Sequence, residues 1–446
     1  FLLVDAGKVS FEDARTLRGL ATSETEAILK EKYPGSQVAC IGPAGENLAY
    51  MAAVFSDTRA AGRGGMGAIM GAKNVKAIVA RGKGGIALAN GEAYRRMIRK
   101  VRFTIENDPK TGKNDSLATF GTSAIVHAVR NADMLPAMNF QDRTQTFEEV
   151  EQFSGEFVRQ NYFAGRKGCY LCPTACGRRV KVDGEISKGP EYESVVMLGA
   201  NAGFHNYAKE ILPASKLCDE LGLDTISVGN ACGVARARSL IGSIEDELRL
   251  IREIAAGKSV FSKGVISAAR ELGFEHEAMH VKGLELPAYD PRAAKGIALA
   301  YATSNRGACH LRAYTVAPEV FSDPEYLDPM AEEGKAKLVV NMQDSYAIYD
   351  SVIACKYHSL ALFKTLEFEL DDMAKTLTAA TGFDFNRDVL KEAGARINTV
   401  ERAFNSREGF STKDDQLPGR LEVDLQNMLE EYYQLRGWNK DGTCSF

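Results

Sequence analysis

The sequence predicts an α+β fold that is mostly α, with a strand-rich base followed by two helical domains. Three observations predict it. Short β-type runs crowd residues 1–83, long amphipathic repeats with capping residues fill most of the remainder, and a Pro-punctuated loop from Gly283 to Pro291 interrupts those repeats. At roughly 150 residues per domain, 446 residues leave room for about three cores, which we place at 1–85, 86–282 and 283–446. The composition is 45% apolar and 26% charged with a net charge of −4, which excludes a disordered chain and gives no basic surface for nucleic acid. The longest apolar run, Leu48 to Phe55, falls far short of the ~20 residues that span a bilayer, so no membrane span is expected. Nine cysteines in so long a chain, an odd count with three tightly clustered at Cys169, Cys172 and Cys176, point to metal ligation in a reducing compartment, the cytoplasm, rather than to a disulfide scaffold.

In order along the chain, Phe1–Val4, Gln37–Ile41 and Val75–Ala80 read as strands, with a helix over Glu24–Lys32 that ends at the Pro34-Gly35 breaker. The chain opens without Met and inside an apolar run, so upstream sequence is expected to precede it. After Gly82, Gly84 and Gly85 the pattern becomes helical. Asn90 caps a helix reaching about Ile105, and further helices are expected over Thr146–Tyr162, Asn206–Leu221, Ser243–Ala256 with a Ser243/Asp246 capping box, Leu390–Ala403 and Glu422–Leu435.

The sharpest motif is Cys169-Tyr-Leu-Cys172-Pro-Thr-Ala-Cys176, a C-x2-C-x3-C run that can present three thiolates to an iron–sulfur cube. Zinc is the competing ion, but it prefers paired C-x2-C units or His partners, and neither follows at finger spacing. A cube needs a fourth ligand, for which Cys218, Cys232, Cys309 and Cys355 are the candidates, and spacing does not choose among them. Cys218 precedes a Gly222 that can end a helix and an Asp224 that can cap the next.

The glycine run Gly62 to Gly71, with Arg63 and Lys73 beside it, reads as a loop whose bare backbone can approach an anion. It is neither a Walker A nor a dinucleotide fingerprint, and a packing turn reads equally well. A second glycine loop, Gly42 to Asn47, shifts the balance toward a cofactor cradle. Glu191 and Glu193 stand at the mouth of an apolar stretch, Val195 to Phe204, where desolvation can raise a carboxyl pKa into the range of a general base. His310 stands out among the histidines because Arg306, Cys309 and Arg312 surround it in sequence. His127, His205, His276, His280 and His358 have no such company.

Taken together and in this order, the glycine run, the three cysteines, Pro190-Glu-Tyr-Glu193, Asp219 to Asp224, Ala302 to His310 and Asp350 to Cys355 resemble the aldehyde:ferredoxin oxidoreductases from about Val38 to Trp438. The resemblance implies a tungsten (or molybdenum) bis-molybdopterin held on the strand-rich base under two helical domains, one 4Fe-4S cluster, and a magnesium ion bridging pterin phosphates. It implies Cys355 as the fourth cluster ligand beside Cys169, Cys172 and Cys176. Asp219 and Asp350 correspond to the aspartates that bond the paired pterins, with Leu223, Ala354, Arg63 and Gly64 as further cofactor contacts. Arg312 falls where a pterin-contacting lysine occurs. Glu193 and His310 correspond to the carboxylate and imidazole beside the metal. About a hundred residues precede the matching region in that family.

The implied reaction oxidises an aldehyde to a carboxylic acid and delivers electrons singly to ferredoxin or a similar carrier, in a homo-oligomer or with a partner subunit. Two other readings accompany it. One is another molybdopterin oxidoreductase, disfavoured because Cys176 and Cys355 are 179 positions apart (355 − 176). The other is an electron-transfer or scaffold subunit that keeps the cluster without an active pterin site.

Overall fold

A computed structural model describes residues 1–109, 111–112, 116–361 and 369–444. The first 81 residues build a six-stranded sheet from β1 (Leu2–Asp5), β2 (Lys8–Phe11), β3 (Gln37–Cys40), β4 (Val54–Ser56), β5 (Arg59–Ala61) and β6 (Ala77–Arg81). Its order is β2-β1-β6-β3-β4-β5, with only the β1/β6 pair parallel. The period-2 alternation of β6 buries Ala77 and Val79 and leaves Ile78 and Ala80 exposed, so one face packs on the helix Thr22–Lys32 through Val38, Val79 and Leu29. All three predicted strands are present. β2, β4 and β5 are additions, short and bounded by turns.

The glycine run is not one loop. Gly64 and Gly65 turn at φ +93° and +72°, and a helix, Met66–Ala72, follows at once. Within that helix a Cβ on Gly67 would stand 2.5 Å from the Ala53 carbonyl oxygen, and one on Gly71 would stand 1.8 Å from that of Gly45. Gly71 lets the helix lie directly on the backbone of the Pro43–Glu46 turn, and Gly67, one helical turn earlier, lets it lie on the backbone at Ala52 and Ala53.

Beyond residue 90 helices dominate. Asn90 accepts from the Ala93 N–H at 3.0 Å and starts the helix Gly91–Asn107. The single helix expected over Thr146–Tyr162 is broken into Phe147–Glu151 and Gly155–Asn161. Ser154 caps the second piece, and a Cβ on Gly155 would crowd the backbone of Ala124 at 2.9 Å. A three-stranded antiparallel sheet then intervenes: β7 (Phe163–Lys167), β8 (Gly177–Val182) and β9 (Glu185–Lys188). The expected helix Asn206–Leu221 begins as a π turn, Tyr207–Ile211, and continues as Leu212–Leu221.

Gly222 ends it at φ +79°, and Asp224 caps Thr225–Ala237 by accepting from the Ser227 N–H at 3.1 Å. The Ser243/Asp246 capping box is formed at the head of Ile244–Ala255. A short hairpin of β10 (His280–Val281) and β11 (Leu284–Glu285) leads into Lys295–Thr303, Lys335–Ser351, Asp371–Thr381, Arg387–Arg407 and Gln426–Arg436.

Buried apolar side chains gather in three cores. One lies under the first sheet. A second joins Ala44–Ala52 to the helices between Leu198 and Ala278. The largest draws on residues from Val126 to Trp438, on both sides of position 283. Among the described residues no helix is long and apolar enough to cross a membrane.

Candidate active site

The loop between β7 and β8 carries Cys169, Cys172 and Cys176. It is folded tightly by the Cys172 N–H donating to the Cys169 carbonyl at 3.0 Å and by positive φ at Leu171 and Ala175. Cys355 arrives from the far side, at the head of the short helix Lys356–Leu360. The four thiols share one neighbourhood. Burial raises the Cys355 thiol pKa, backbone N–H groups of His358 and Tyr357 pull it back, and Cys172 and Cys169 raise it further; Cys355 in turn acts on Cys176. His358 lies 3.7 Å from the Cys172 sulfur, and Arg59 donates to the Cys176 sulfur at 3.7 Å. His358 thus has company that its sequence neighbours conceal.

Among the described residues no three His, Cys, Asp or Glu side chains close on a single metal ion. Zinc bonds of about 2.3 Å would require sulfurs about 4 Å apart. Four thiols brought to one neighbourhood and faced by a guanidinium have the donor chemistry that an anionic iron–sulfur cluster takes. Cys218 and Cys232 lie in the second core instead, and Cys309 accepts from Arg306 at 2.9 Å beside His310.

Glu193 lies in the first turn of the helix Tyr192–Met197, and His310 approaches to 3.3 Å between Nε2 and Glu193 Oε1. Burial pushes Glu193 up to about 7; the Ala288 N–H donating at 2.9 Å and Arg63 oppose that rise, and Asp224 adds to it. Burial also drives His310 well below its ordinary value, helped by Arg63, Arg306 and Lys356, so the imidazole is neutral. Glu193 Oε1 and His310 Nδ1 are both buried without a hydrogen bond. They border a cavity of about 530 Å³ walled by Leu117, Ile125, Tyr289, Tyr314, Phe321 and Tyr346. The Tyr289 ring stacks on Tyr192, tilts against His310 and bonds the Tyr314 hydroxyl at 3.2 Å, which fixes the wall beside the imidazole.

Arg63 pins the glycine turn to this region. Its guanidinium donates to the carbonyls of Ala308, at 2.7 Å, and Glu285, and Nε lies 3.4 Å from Asp224. Gly64 and Gly65 border a second cavity, about 520 Å³, whose lining sets Lys263, Lys282 and Arg306 beside Asp224 and Glu285. Asp219 is ion-paired to Lys188 at 2.8 Å, and burial raises its carboxyl. Leu223 is bridged to Ala52, which brings the Asp219–Asp224 turn onto the first sheet's domain. Asp350 pairs with Lys356 at 3.0 Å, and burial lowers the Lys356 ammonium to about 8. Ala354 closes the end of Lys335–Ser351 by donating to Tyr349 O at 2.8 Å. The Arg312 guanidinium points to Glu401, 3.2 Å away.

Sequence reasoning missed Arg59, Lys356, Lys188 and the tyrosine wall. Arg59 sits three residues before Gly62 and could have been found as part of that basic, glycine-rich stretch. Lys356 and Lys188 adjoin motifs that had been singled out.

Residues 1–82 match the family described as aldehyde ferredoxin oxidoreductase, N-terminal domain, and residues 96–445 match aldehyde ferredoxin oxidoreductase, domains 2 & 3. A tungsten-containing aldehyde ferredoxin oxidoreductase of Pyrococcus furiosus is 37% identical over 481 aligned residues, covering 99% of this chain and 78% of the relative. One of Thermococcus kodakarensis matches at the same identity and coverage. An aliphatic sulfonate oxidoreductase, WOR-like subunit, of Pyrococcus furiosus is 26% identical over 90% of this chain and 68% of its own length. The fold is shared with a chain of the active site complex BamBC of benzoyl coenzyme A reductase at TM-score 0.83 and 22% identity, covering 100% of this chain and 78% of that one.

Proposed function

This chain belongs to the aldehyde ferredoxin oxidoreductase family, and on that premise we propose that it oxidises an aldehyde in the cavity bordered by Glu193 and His310. The product is the carboxylic acid, and electrons leave singly to ferredoxin or a similar carrier. The observation that carries this reading is a pair of buried polar atoms without a hydrogen bond, Glu193 Oε1 and His310 Nδ1, at the edge of a largely apolar cavity.

The residues fit the cofactors of the family. Cys169, Cys172, Cys176 and Cys355 would hold a 4Fe-4S cluster. The bare Gly64–Gly65 backbone, with Lys263 and Arg306 beside it, suits the anionic phosphates of a bis-molybdopterin. Arg63, Gly64, Asp219, Leu223, Arg312, Asp350 and Ala354 would line that cofactor, with a magnesium ion as a further part of the site. When bound, the tungsten centre would supply two-electron redox chemistry and the cluster one-electron transfer.

The chain's own groups do the rest. The neutral His310 donates an N–H to the carbonyl oxygen as negative charge grows there. Glu193, ionised above about pH 7, accepts a proton from the attacking water. The tyrosine and leucine walls exclude bulk water and favour bulky apolar or aromatic aldehydes over small hydrated ones. Free cysteines throughout support a reducing, cytoplasmic setting.

Glu193→Gln tests the assignment. Turnover is expected to fall by about 10²- to 10⁴-fold, with tungsten and iron content by elemental analysis unchanged. Full activity in that variant removes Glu193 from the role.

A further inference from the structure

The two loops that gather the cysteines also present an apolar surface to solvent. Tyr170, Leu171 and Ile353 are 93%, 72% and 94% exposed. Leu171 and Ile353 sit at φ +54° and +57°, where side chains other than glycine are uncommon, so the backbone holds these outward positions at some cost. Cys169 and Cys355 are themselves exposed between them.

Behind this tip the β7–β9 sheet turns one face outward. Alternation along β8 exposes Arg179 and Lys181 and buries Arg178 and Val180, and the pairings Lys167↔Gly177, Arg179↔Lys188 and Lys181↔Ile186 place Lys167 and Lys188 on the same face. Lys167 pairs with Asp57 and Lys188 with Asp219. Arg179 and Lys181 are exposed and have no ion pair among the described residues. On a molecule of net charge −4, this hairpin is a local reversal of sign.

We propose that the hairpin tip and the basic face behind it form the docking surface for a small acidic one-electron carrier protein, with Tyr170, Leu171 and Ile353 as its apolar centre and Arg179 and Lys181 as its steering rim. This rests on the reading above, in which the four cysteines hold the cluster through which electrons leave. Exposed Cys169 and Cys355 leave no protein layer between that exit and a carrier seated on the tip. Oxidation of one aldehyde with one water yields the acid, two protons and two electrons. Each oxidised carrier accepts one electron, so two must dock and depart per turnover. A small apolar centre with a charged rim suits such brief encounters, because charge raises the on-rate while limited contact area keeps release fast.

The test measures binding of an oxidised acidic 4Fe-4S ferredoxin to the holoenzyme by surface plasmon resonance, with basic cytochrome c as the contrast. In the wild type, affinity for ferredoxin falls as salt rises from about 50 to about 300 mM. Arg179→Glu/Lys181→Glu and Tyr170→Ser/Ile353→Ser each raise the ferredoxin Kd by about tenfold or more. Iron content and aldehyde oxidation with methyl viologen as acceptor stay at wild-type levels. Unchanged ferredoxin affinity in both variants, or tighter binding of cytochrome c than of ferredoxin, overturns the proposal. Because Arg179 and Lys181 lie on the sheet face rather than in the cysteine loop, that variant remains decisive if the tip variant loses iron. A wild-type protein reconstituted without retained iron sinks the cluster reading itself, a result distinct from failure of the docking surface.

Discussion

Glu193 stands in an enclosure that raises a carboxyl to about 7 while the neighbouring imidazole is kept neutral, so the pair carries one titration near physiological pH. A base must be ionised to work. The ascending limb of kcat/KM is therefore expected to rise through about pH 7 in the wild type, and a pH–rate profile with one bulky aldehyde checks it. A second buried carboxyl has a different consequence. Glu247 is fully buried beside Cys232, neither of its oxygens is in a sound hydrogen bond, and burial pushes it up to about 8. Its folded pKa lies above the unfolded value, so the folded state holds the proton more tightly. Stability is fullest below about pH 4.5 and declines as pH rises through about 8, by an amount on the order of a few kcal/mol. Urea melts at pH 6 and pH 9 are expected to differ in the wild type, and the loss of stability between them to be smaller in Glu247→Gln.

The glycines of the first domain show how similar residues serve unlike ends. A Cβ on Gly71 would overlap the Gly45 carbonyl, whereas one on Gly84 would meet nothing within 4 Å. Gly71→Ala is expected to destabilise by about 1–3 kcal/mol or more through forced separation of two backbones, and Gly84→Ala to leave the thermal midpoint unchanged; calorimetry on the two variants decides. The same run shows what was legible. Its turn and its cations could be read as a loop, but glycines spaced for helix-on-backbone packing look identical on paper to glycines placed for φ. Helices with a polar side and a cap, such as Gly91–Asn107 and Ile244–Ala255, were readable from their periodicity. Thr225–Ala237 was not, because ten of its thirteen residues are buried and no polar stripe marks its phase. β7–β9 escaped because Arg, Lys and Gly fill alternate positions where strands usually show branched or aromatic residues. At the site, Glu193, His310 and the cysteine run were legible from local chemistry. The tyrosine wall was not, since Tyr192, Tyr289, Tyr314 and Tyr346 come from four separate segments.

At the scale of the whole molecule, one buried carboxylate ties distant parts together. Asp415 accepts from the Tyr433 hydroxyl at 2.6 Å and pairs with Arg402 at 2.9 Å and with Lys282, in the β10–β11 turn, at 2.7 Å. Asp415→Asn would leave two buried cations without a counter-charge and is expected to cost about 3–5 kcal/mol. A lower urea midpoint and faster proteolysis of the C-terminal helices are the readouts, and an unchanged midpoint would show that the network holds nothing together. The placement of Cys355 has a further implication for biosynthesis. Three thiols of the proposed cluster leave the ribosome together, but the fourth follows 179 residues later, about 10 to 40 s behind at ordinary elongation rates. Throughout that interval the nascent hairpin presents an unfinished triad. A four-cysteine site is complete only once Cys355 has been made, so the proposed cluster can be finished no earlier than that point in synthesis.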